Sequence, residues 1–277
     1  MRINADFSRK AFVTPRDEDW VHSPESGVER RMLDRIGDEV ARATSIVRYA
    51  AGSSFPPHKH PKGEEFLVLD GVFSDDTGDF PAGTYVRNPP GTSHAPHSRD
   101  GCRILVKLRQ FDADDLTPVV IDTTAQSGWQ EVETGVERLD LHAFGTEAVA
   151  MLRLAAGAQF ALDGSDGGVE LLLVSGAASC GGESLGPESW LRLPRDVHAT
   201  LTATAATTVW LKTGHLPADL LLPILHPPDD VRGGYAREQA FVIDQFPDDR
   251  RDRQHARPHR QGVVLVFVVG VAAGNLG

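Results

Sequence analysis

The sequence is poor in cysteine and in aromatic residues, and each shortage narrows the range of folds. Two cysteines in 277 residues are too few for a disulfide framework, and neither Cys102 nor Cys180 belongs to a C-x-x-C pair. Aromatic residues make up only 7% of the chain, whereas glycine and proline number 27 and 18. This composition favours short strands joined by turns over a bundle of helices.

The sequence also lacks a hydrophobic run long enough for a membrane-spanning helix. Residues 263–273 are apolar apart from Gly270, but about 20 such residues are needed to cross a bilayer. The first residues have no apolar core of signal-peptide length. The net charge of -11 argues against a surface that binds nucleic acid or anionic lipid. We therefore expect a cytoplasmic protein that binds neither membranes nor nucleic acid.

What the sequence does contain is an internal repeat. Five segments recur in the same order at a nearly constant offset: 27–30 with 135–138, 49–55 with 154–160, 65–71 with 170–176, the turn of Pro90 and His94 with that of Pro194 and His198, and 106–108 with 211–213. Chance does not supply five matches in order, so the chain is a tandem duplication. We predict one domain at 1–118, a second at 119–225, and a poorly ordered tail at 226–277.

Each copy has the hydrophobic pattern of short strands. Runs such as 44–49, 65–69 and 103–108 are rich in β-branched and aliphatic residues and are bounded by Gly, Pro, Asp or Ser. No stretch of ten or more residues shows an apolar helical stripe with caps. The pattern predicts an all-β protein in which each copy forms a sandwich or barrel.

The first copy contains a cluster of candidate metal ligands. Three prolines prevent a helix around His58 and His60, so both lie on extended chain with their imidazoles on one face. Glu64 keeps the same parity, and the turn that ends at His94 can bring this fourth side chain to the site. Three imidazoles and one carboxylate suit a divalent first-row metal ion. A histidine-rich surface turn is the alternative for an isolated His-x-His.

The spacing of these residues favours the metal site and resembles the two-part signature of the cupin superfamily. The first part, G-x5-H-x-H-x3-E-x6-G, runs from Gly52 to Gly71, and the second, G-x5-P-x-G-x2-H, runs from Gly83 to His94. Ser98 stands where the signature often has Asn. More closely, the chain resembles the ChrR-like cupins, through H-x-H-x-x-x-E-E-F-L-V-L and N-P-P-G-T-S-H-A-P-H-S. The resemblance implies two tandem cupin barrels of the jelly-roll type.

The second copy has lost most of the ligand set. Asp163, Ser165 and Val169 stand opposite His58, His60 and Glu64, and His198 alone is kept. We expect one divalent ion per chain, iron or zinc in the first place and manganese or nickel as alternatives, held by His58, His60, Glu64 and His94. On spacing alone, Glu65 is an alternative to Glu64 as the carboxylate ligand. His97 is either a pocket residue or an exposed turn residue.

Two functions follow from the resemblance. The first is a non-haem, metal-dependent dioxygenase that acts on a small diketone or hydroxy-ketone. The second is a zinc-binding regulatory or sensory cupin. Sigma-factor sequestration by the family's usual route is disfavoured, because no His/Cys zinc set precedes residue 20. A small molecule is the expected partner, and exposed strand edges are compatible with a homodimer.

Overall fold

The computed structural model describes residues 1–217. The predicted tail at 226–277, with its apolar run, lies outside the described residues. Within them, one 3-10 turn at Asp17–Asp19 is the only helical element, so the all-β prediction is confirmed. No helix in the described part of the chain is long and apolar enough to cross a membrane.

The first copy supplies thirteen strands and the second copy eleven. Those of the first copy are β1 (Arg2–Ile3), β2 (Ala11–Val13), β3 (Val21–His22), β4 (Val28–Gly37), β5 (Ala41–Tyr49), β6 (Ser53–Ser54), β7 (His58–Lys59), β8 (Glu64–Asp75), β9 (Gly78–Pro81), β10 (Thr84–Asn88), β11 (Ser93–His94), β12 (His97–Ser98) and β13 (Cys102–Leu108). Those of the second are β14 (Val119–Asp122), β15 (Gln130–Glu133), β16 (Val136–Phe144), β17 (Glu147–Leu154), β18 (Gln159–Asp163), β19 (Val169–Ser175), β20 (Ala178–Cys180), β21 (Glu183–Leu185), β22 (Trp190–Leu193), β23 (His198–Ala203) and β24 (Thr207–Thr213).

Each copy is built around one large antiparallel sheet. The order is β1-β4-β5-β13-β8-β10-β14 in the first and β15-β16-β17-β24-β19-β22-β2 in the second. Smaller pairings complete each barrel, including β7 with β11 in the first copy and β18-β23-β20-β21 in the second. The domain boundary predicted between residues 118 and 119 stays a prediction.

One early strand of each copy pairs with the other copy. Strand β2 pairs with β22 of the second copy, with Phe12 opposite Leu191. Strand β14, which opens the second copy, pairs with β10 of the first, with Val120 opposite Val86. Each large sheet is therefore completed by a strand from the other copy.

Three apolar clusters fill the molecule, one inside each barrel and one between the two large sheets. The period-two alternation of the strands explains this division, because neighbouring residues face opposite sides of a sheet. On β8, Phe66 and Val68 belong to the interior of the first barrel, whereas Leu67 packs between the barrels. Trp190 and Trp210 of the second copy are fully buried in the same interface.

Reciprocal ion pairs cross this interface. The ammonium of Lys107, in the first copy, lies 2.7 Å from the carboxylate of Glu170 in the second. At the equivalent place, Lys212 of the second copy pairs with Glu65 of the first. All four side chains are buried. The two copies thus meet as the subunits of a two-fold dimer would, with the same residues used from both sides.

Candidate metal centre

The structure brings four candidate ligands from three strand segments into one cluster. His58 and His94 are direct partners across the short β7–β11 pair, while Glu64 begins β8. His60 follows β7 and is 5% exposed. One ligand atom from each of the four side chains lies within 4.8 Å of every other. This is the set that the motif spacing predicts.

The separations fit an ion at the centre. His60 Nε2 and His94 Nε2 lie 3.6 and 3.4 Å from Glu64 Oε1. Ligand atoms each about 2.1 Å from one ion stand roughly 3.0 to 3.4 Å apart in octahedral or tetrahedral geometry. Two of the atoms, His60 Nε2 and Glu64 Oε1, are buried without a hydrogen-bond partner among the described residues. A divalent cation would satisfy both.

Each imidazole is oriented by a hydrogen bond at its other nitrogen. The Nδ1 of His58 lies 3.0 Å from the carbonyl oxygen of Pro56, and that of His94 lies 3.0 Å from Asp75 Oδ2. His60 Nδ1 lies 3.0 Å from the hydroxyl of Thr92, which donates its own proton to Pro89 O. All three partners can only accept, so each Nδ1 carries the hydrogen and each Nε2 keeps its lone pair for a ligand bond.

Burial sets the charge state of the metal-free cluster. Burial, with the neighbouring imidazoles of His94 and His58, lowers the pKa of His60 to about 3. Burial also lowers the pKa of His94 and raises that of Glu64 to about 7. The imidazoles of His60 and His94 are therefore held neutral, as metal coordination requires.

The cluster opens into a cavity of about 520 Å³ inside the first barrel. Its walls are mainly apolar, with Val47, Phe55, Phe73, Ile104 and Val106 among them. Such a cavity, apolar apart from a few convergent polar groups, is the usual form of a small-molecule site.

Comparison with known families identifies the fold. A family model described as ChrR cupin-like domain matches residues 8–112 and 117–217. The chain belongs to the ChrR cupin-like family. The model matches once in each copy, so the resemblance drawn from the sequence is confirmed. No curated protein sequence gives a significant match to the chain.

Solved cupin-fold structures share its architecture at low sequence identity. Protein Ylba from Escherichia coli is 13% identical, with a TM-score of 0.58 over 75% of this chain and 91% of its own. The nickel(II) complex of the bacterial pirin YhhW from Escherichia coli is 16% identical, with a TM-score of 0.56 over 76% and 99%. A salicylate 1,2-dioxygenase from Pseudaminobacter salicylatoxidans is 13% identical, with a TM-score of 0.51 over 61% and 70%. These similarities show the cupin fold.

In the second cupin copy the ligand positions carry no cluster. His198 pairs with Asp163 across β18 and β23, as His94 pairs with His58. Both side chains are largely exposed, so His198 is a surface residue, whose Nδ1 lies 3.3 Å from Asp163 Oδ1. Leucines such as Leu162, Leu171 and Leu201 fill this barrel.

The structure bears on two alternatives that the sequence leaves open, one for Glu65 and one for His97. Glu65 points to the interface between the copies, where it accepts hydrogen bonds from Tyr85 and Arg87 and pairs with Lys212. It therefore lies away from the ligand cluster, while Glu64 lies in it. His97 is exposed and is not among the residues that line the cavity. This position fits the exposed-turn alternative for His97.

Sequence reasoning missed the residues that orient and frame the site. Thr92 precedes His94 by two positions within the recognised motif, which is a usable signal. Asp75 lies eleven residues beyond Glu64 with no motif around it. Lys107 and Lys212 occupy equivalent positions in the sequence repeat, and this equivalence could have indicated their shared role at the interface.

Proposed function

We propose that the protein is a metal-dependent cupin oxygenase of the dioxygenase type, which acts on a small diketone or hydroxy-ketone in the first barrel. The observation that carries this proposal is the convergence of His58, His60, Glu64 and His94 at an apolar cavity that opens to solvent. Four protein ligands leave room for substrate oxygens on an ion that accepts five or six donors. A cluster without an adjoining cavity would favour a purely structural ion.

The chain's own residues prepare the site before any ligand enters. Asp75, Thr92 and the Pro56 carbonyl hold the three imidazoles in place, so coordination needs no rearrangement of the rings. When bound, an iron ion would supply Lewis acidity and one-electron chemistry with dioxygen. The ring of Phe55 packs edge-on against His58, with ring centroids 6.1 Å apart. The ring of Phe73 lies next to His94, with ring centroids 5.9 Å apart. Both phenyl rings shield their side of the cluster from bulk water.

The test is elemental analysis of protein purified without oxygen, paired with oxygen uptake on β-diketones and hydroxyacetophenones. We expect near-stoichiometric iron and oxygen consumption that depends on substrate. Replacing His94 with Ala should lower both sharply, while His198→Ala leaves both intact. Full metal occupancy with no oxygen uptake on any member of the panel would contradict the oxygenase proposal.

The second candidate function is a zinc-binding sensory or regulatory cupin. It is favoured by the family match itself, since both copies fit the ChrR cupin-like model. In that case purified protein should hold stoichiometric zinc and consume no oxygen. Both cysteines are buried, and burial raises the pKa of Cys102 and of Cys180 to about 11, which makes either thiol a poor oxidation sensor.

A further inference from the structure

Arg109 has a backbone conformation that arginine rarely adopts. Its φ is 60°, in the left-handed region that favours glycine. Its amide donates to the carbonyl oxygen of Gly63 at 3.0 Å, directly beside the ligand Glu64. The second copy has the same turn with the same hydrogen bond, from Gly214 to Gly168 at 3.1 Å, and there the residue is glycine with a φ of 71°.

The two copies differ in what surrounds this turn. In the second copy a Cβ at Gly214 would collide with the carbonyl oxygen of Thr146, so the corner is closed. In the first copy the corresponding space is part of the mouth of the metal cavity, and the side chain of Arg109 lines it. The copy that holds the ligand cluster therefore has an arginine at a position where the turn itself favours glycine.

The guanidinium of Arg109 has no partner within residues 1–217. It is half-buried, yet it makes no hydrogen bond or ion pair there. The other charged residues that line the mouth are Glu25, Arg30, Glu39 and Lys59. Arg30 pairs with Glu39 at 3.7 Å, whereas Arg109 forms no ion pair within residues 1–217.

A second left-handed residue shows what such a position can be used for. Glu188 has a φ of 62° where the first copy has Gly83, and the backbone hydrogen bonds at the two positions are again equivalent. Its carboxylate pairs with Arg31 at 2.8 Å and with Arg103 at 3.4 Å. Glu188 thus places a charge opposite a defined partner. Arg109, by contrast, has no such partner among residues 1–217.

We propose that Arg109 binds a carboxylate of the substrate, so that the cavity takes a small chelating diketone or hydroxy-ketone that carries a carboxylate in preference to a neutral one. The inference rests on the proposed function and narrows its substrate class. The chelating oxygens would lie at the His58, His60, Glu64 and His94 cluster, with the carboxylate at the mouth. A guanidinium can hold a carboxylate with two parallel hydrogen bonds, which adds direction as well as affinity.

The experiment compares 2,4-dioxopentanoate with 2,4-pentanedione, which share a β-diketone and differ by the carboxylate. Both are titrated calorimetrically into wild type, R109Q and R109G, each with and without metal and with metal content measured. R109G places the favoured residue at the turn and so preserves the fold. R99Q is the charge-matched control, because Arg99 is almost fully exposed and does not line the cavity.

We expect wild type and R99Q to bind the acid about 10- to 100-fold more tightly than the neutral diketone, as a charge-assisted pair would give. R109Q and R109G should lose this preference while their metal content and their affinity for 2,4-pentanedione stay unchanged. A preference that survives in both Arg109 variants, or its absence from wild type, overturns the inference. Failure of wild type to take up metal would instead overturn the proposed function, and the metal-free titrations would still decide the role of Arg109.

Discussion

At the scale of single residues, the ligand cluster depends on hydrogen-bond acceptors that fix the orientation of its three imidazoles. Each histidine uses Nδ1 for an acceptor and leaves Nε2 toward Glu64 or its neighbours. The pair formed by His94 and Asp75 is the strongest of these contacts, since the acceptor is a buried carboxylate 3.0 Å away. Partners of this kind typically contribute about 10- to 100-fold to metal affinity.

Metal content should therefore distinguish the two copies. His58→Ala or His94→Ala should lower metal occupancy sharply, and Asp75→Asn should weaken affinity by about 10- to 100-fold without abolishing binding. His198→Ala is the matched control from the second copy. Elemental analysis after dialysis against a weak chelator checks each variant. An equal loss of metal in His198→Ala would refute the assignment of the site.

At the scale of elements, strand β8 serves both the metal cluster and the interface between the copies, because its alternate side chains face opposite sides of the sheet. Glu64 faces the interior of the first barrel and Glu65 faces the second copy, so adjacent carboxylates have opposite environments. Burial raises the pKa of Glu64 to about 7. Burial opposes ionisation of Glu65 as well, but Lys212, Arg87 and Lys107 outweigh it and lower the pKa of Glu65 to about 2.

Glu64→Gln should stabilise the metal-free protein at pH 8 and have little effect at pH 4. The raised pKa means that folding disfavours the charged carboxylate above about pH 7, whereas below about pH 4.5 the group is neutral in both folded and unfolded chain. The gain at pH 8 should be about 2 to 3 kcal/mol. Urea unfolding at the two pH values measures it. The variant should also lose metal. A stability gain of the same size at both pH values would contradict the electrostatic explanation.

Glu65→Gln should behave in the opposite way. Removing this buried carboxylate takes one counter-charge from Arg87 and Lys212, which both keep Glu147 as a partner, and we expect a loss of about 2 to 3 kcal/mol in the free energy of unfolding. The ligands are untouched, so metal stoichiometry at 10 °C, where the folded form is retained, should stay near wild type. Loss of metal from a still folded Glu65→Gln protein would place Glu65 in the site after all.

Sequence reasoning reached the fold class and the four side chains that cluster, but not the packing of the two copies against each other. The strand parity of His58, His60 and Glu64 depends only on nearby residues, and the structure gathers these side chains with His94. The face to which Tyr85 and Arg87 point depends on where the second copy packs, which parity within one copy does not reveal. A shift of one residue would exchange the two faces.

At the scale of the whole molecule, the two copies are joined by buried charges as well as by apolar surface. Glu170 accepts from Lys107, from the indole of Trp190 at 2.8 Å, and lies 2.8 Å from His215. A buried charge network adds little stability over apolar side chains of the same shape. Removing only one partner is strongly destabilising, because the other charge is left buried and unpaired. It therefore specifies how the copies face each other more than it adds to stability.

A double-mutant cycle tests this role. Lys107→Met alone should lower the free energy of unfolding by about 3 to 5 kcal/mol, because Glu170 is left buried without its ammonium. The double variant Lys107→Met with Glu170→Met should recover most of that loss. Denaturant unfolding gives the coupling energy directly. Simple addition of the two single effects would show that the pair does not act as a unit.

The pairing of β2 and β14 with the other copy has a consequence for the order in which the protein is made. The large sheet of the second copy is complete only when β22, at Trp190–Leu193, meets β2, which left the ribosome long before it. At roughly 5–20 residues per second, β2 waits on the order of ten seconds or more for its partner. During synthesis the first barrel also lacks an edge until β14 emerges. Pairing over such a separation raises contact order, so we expect slow folding and an unpaired, aggregation-prone strand in the nascent chain.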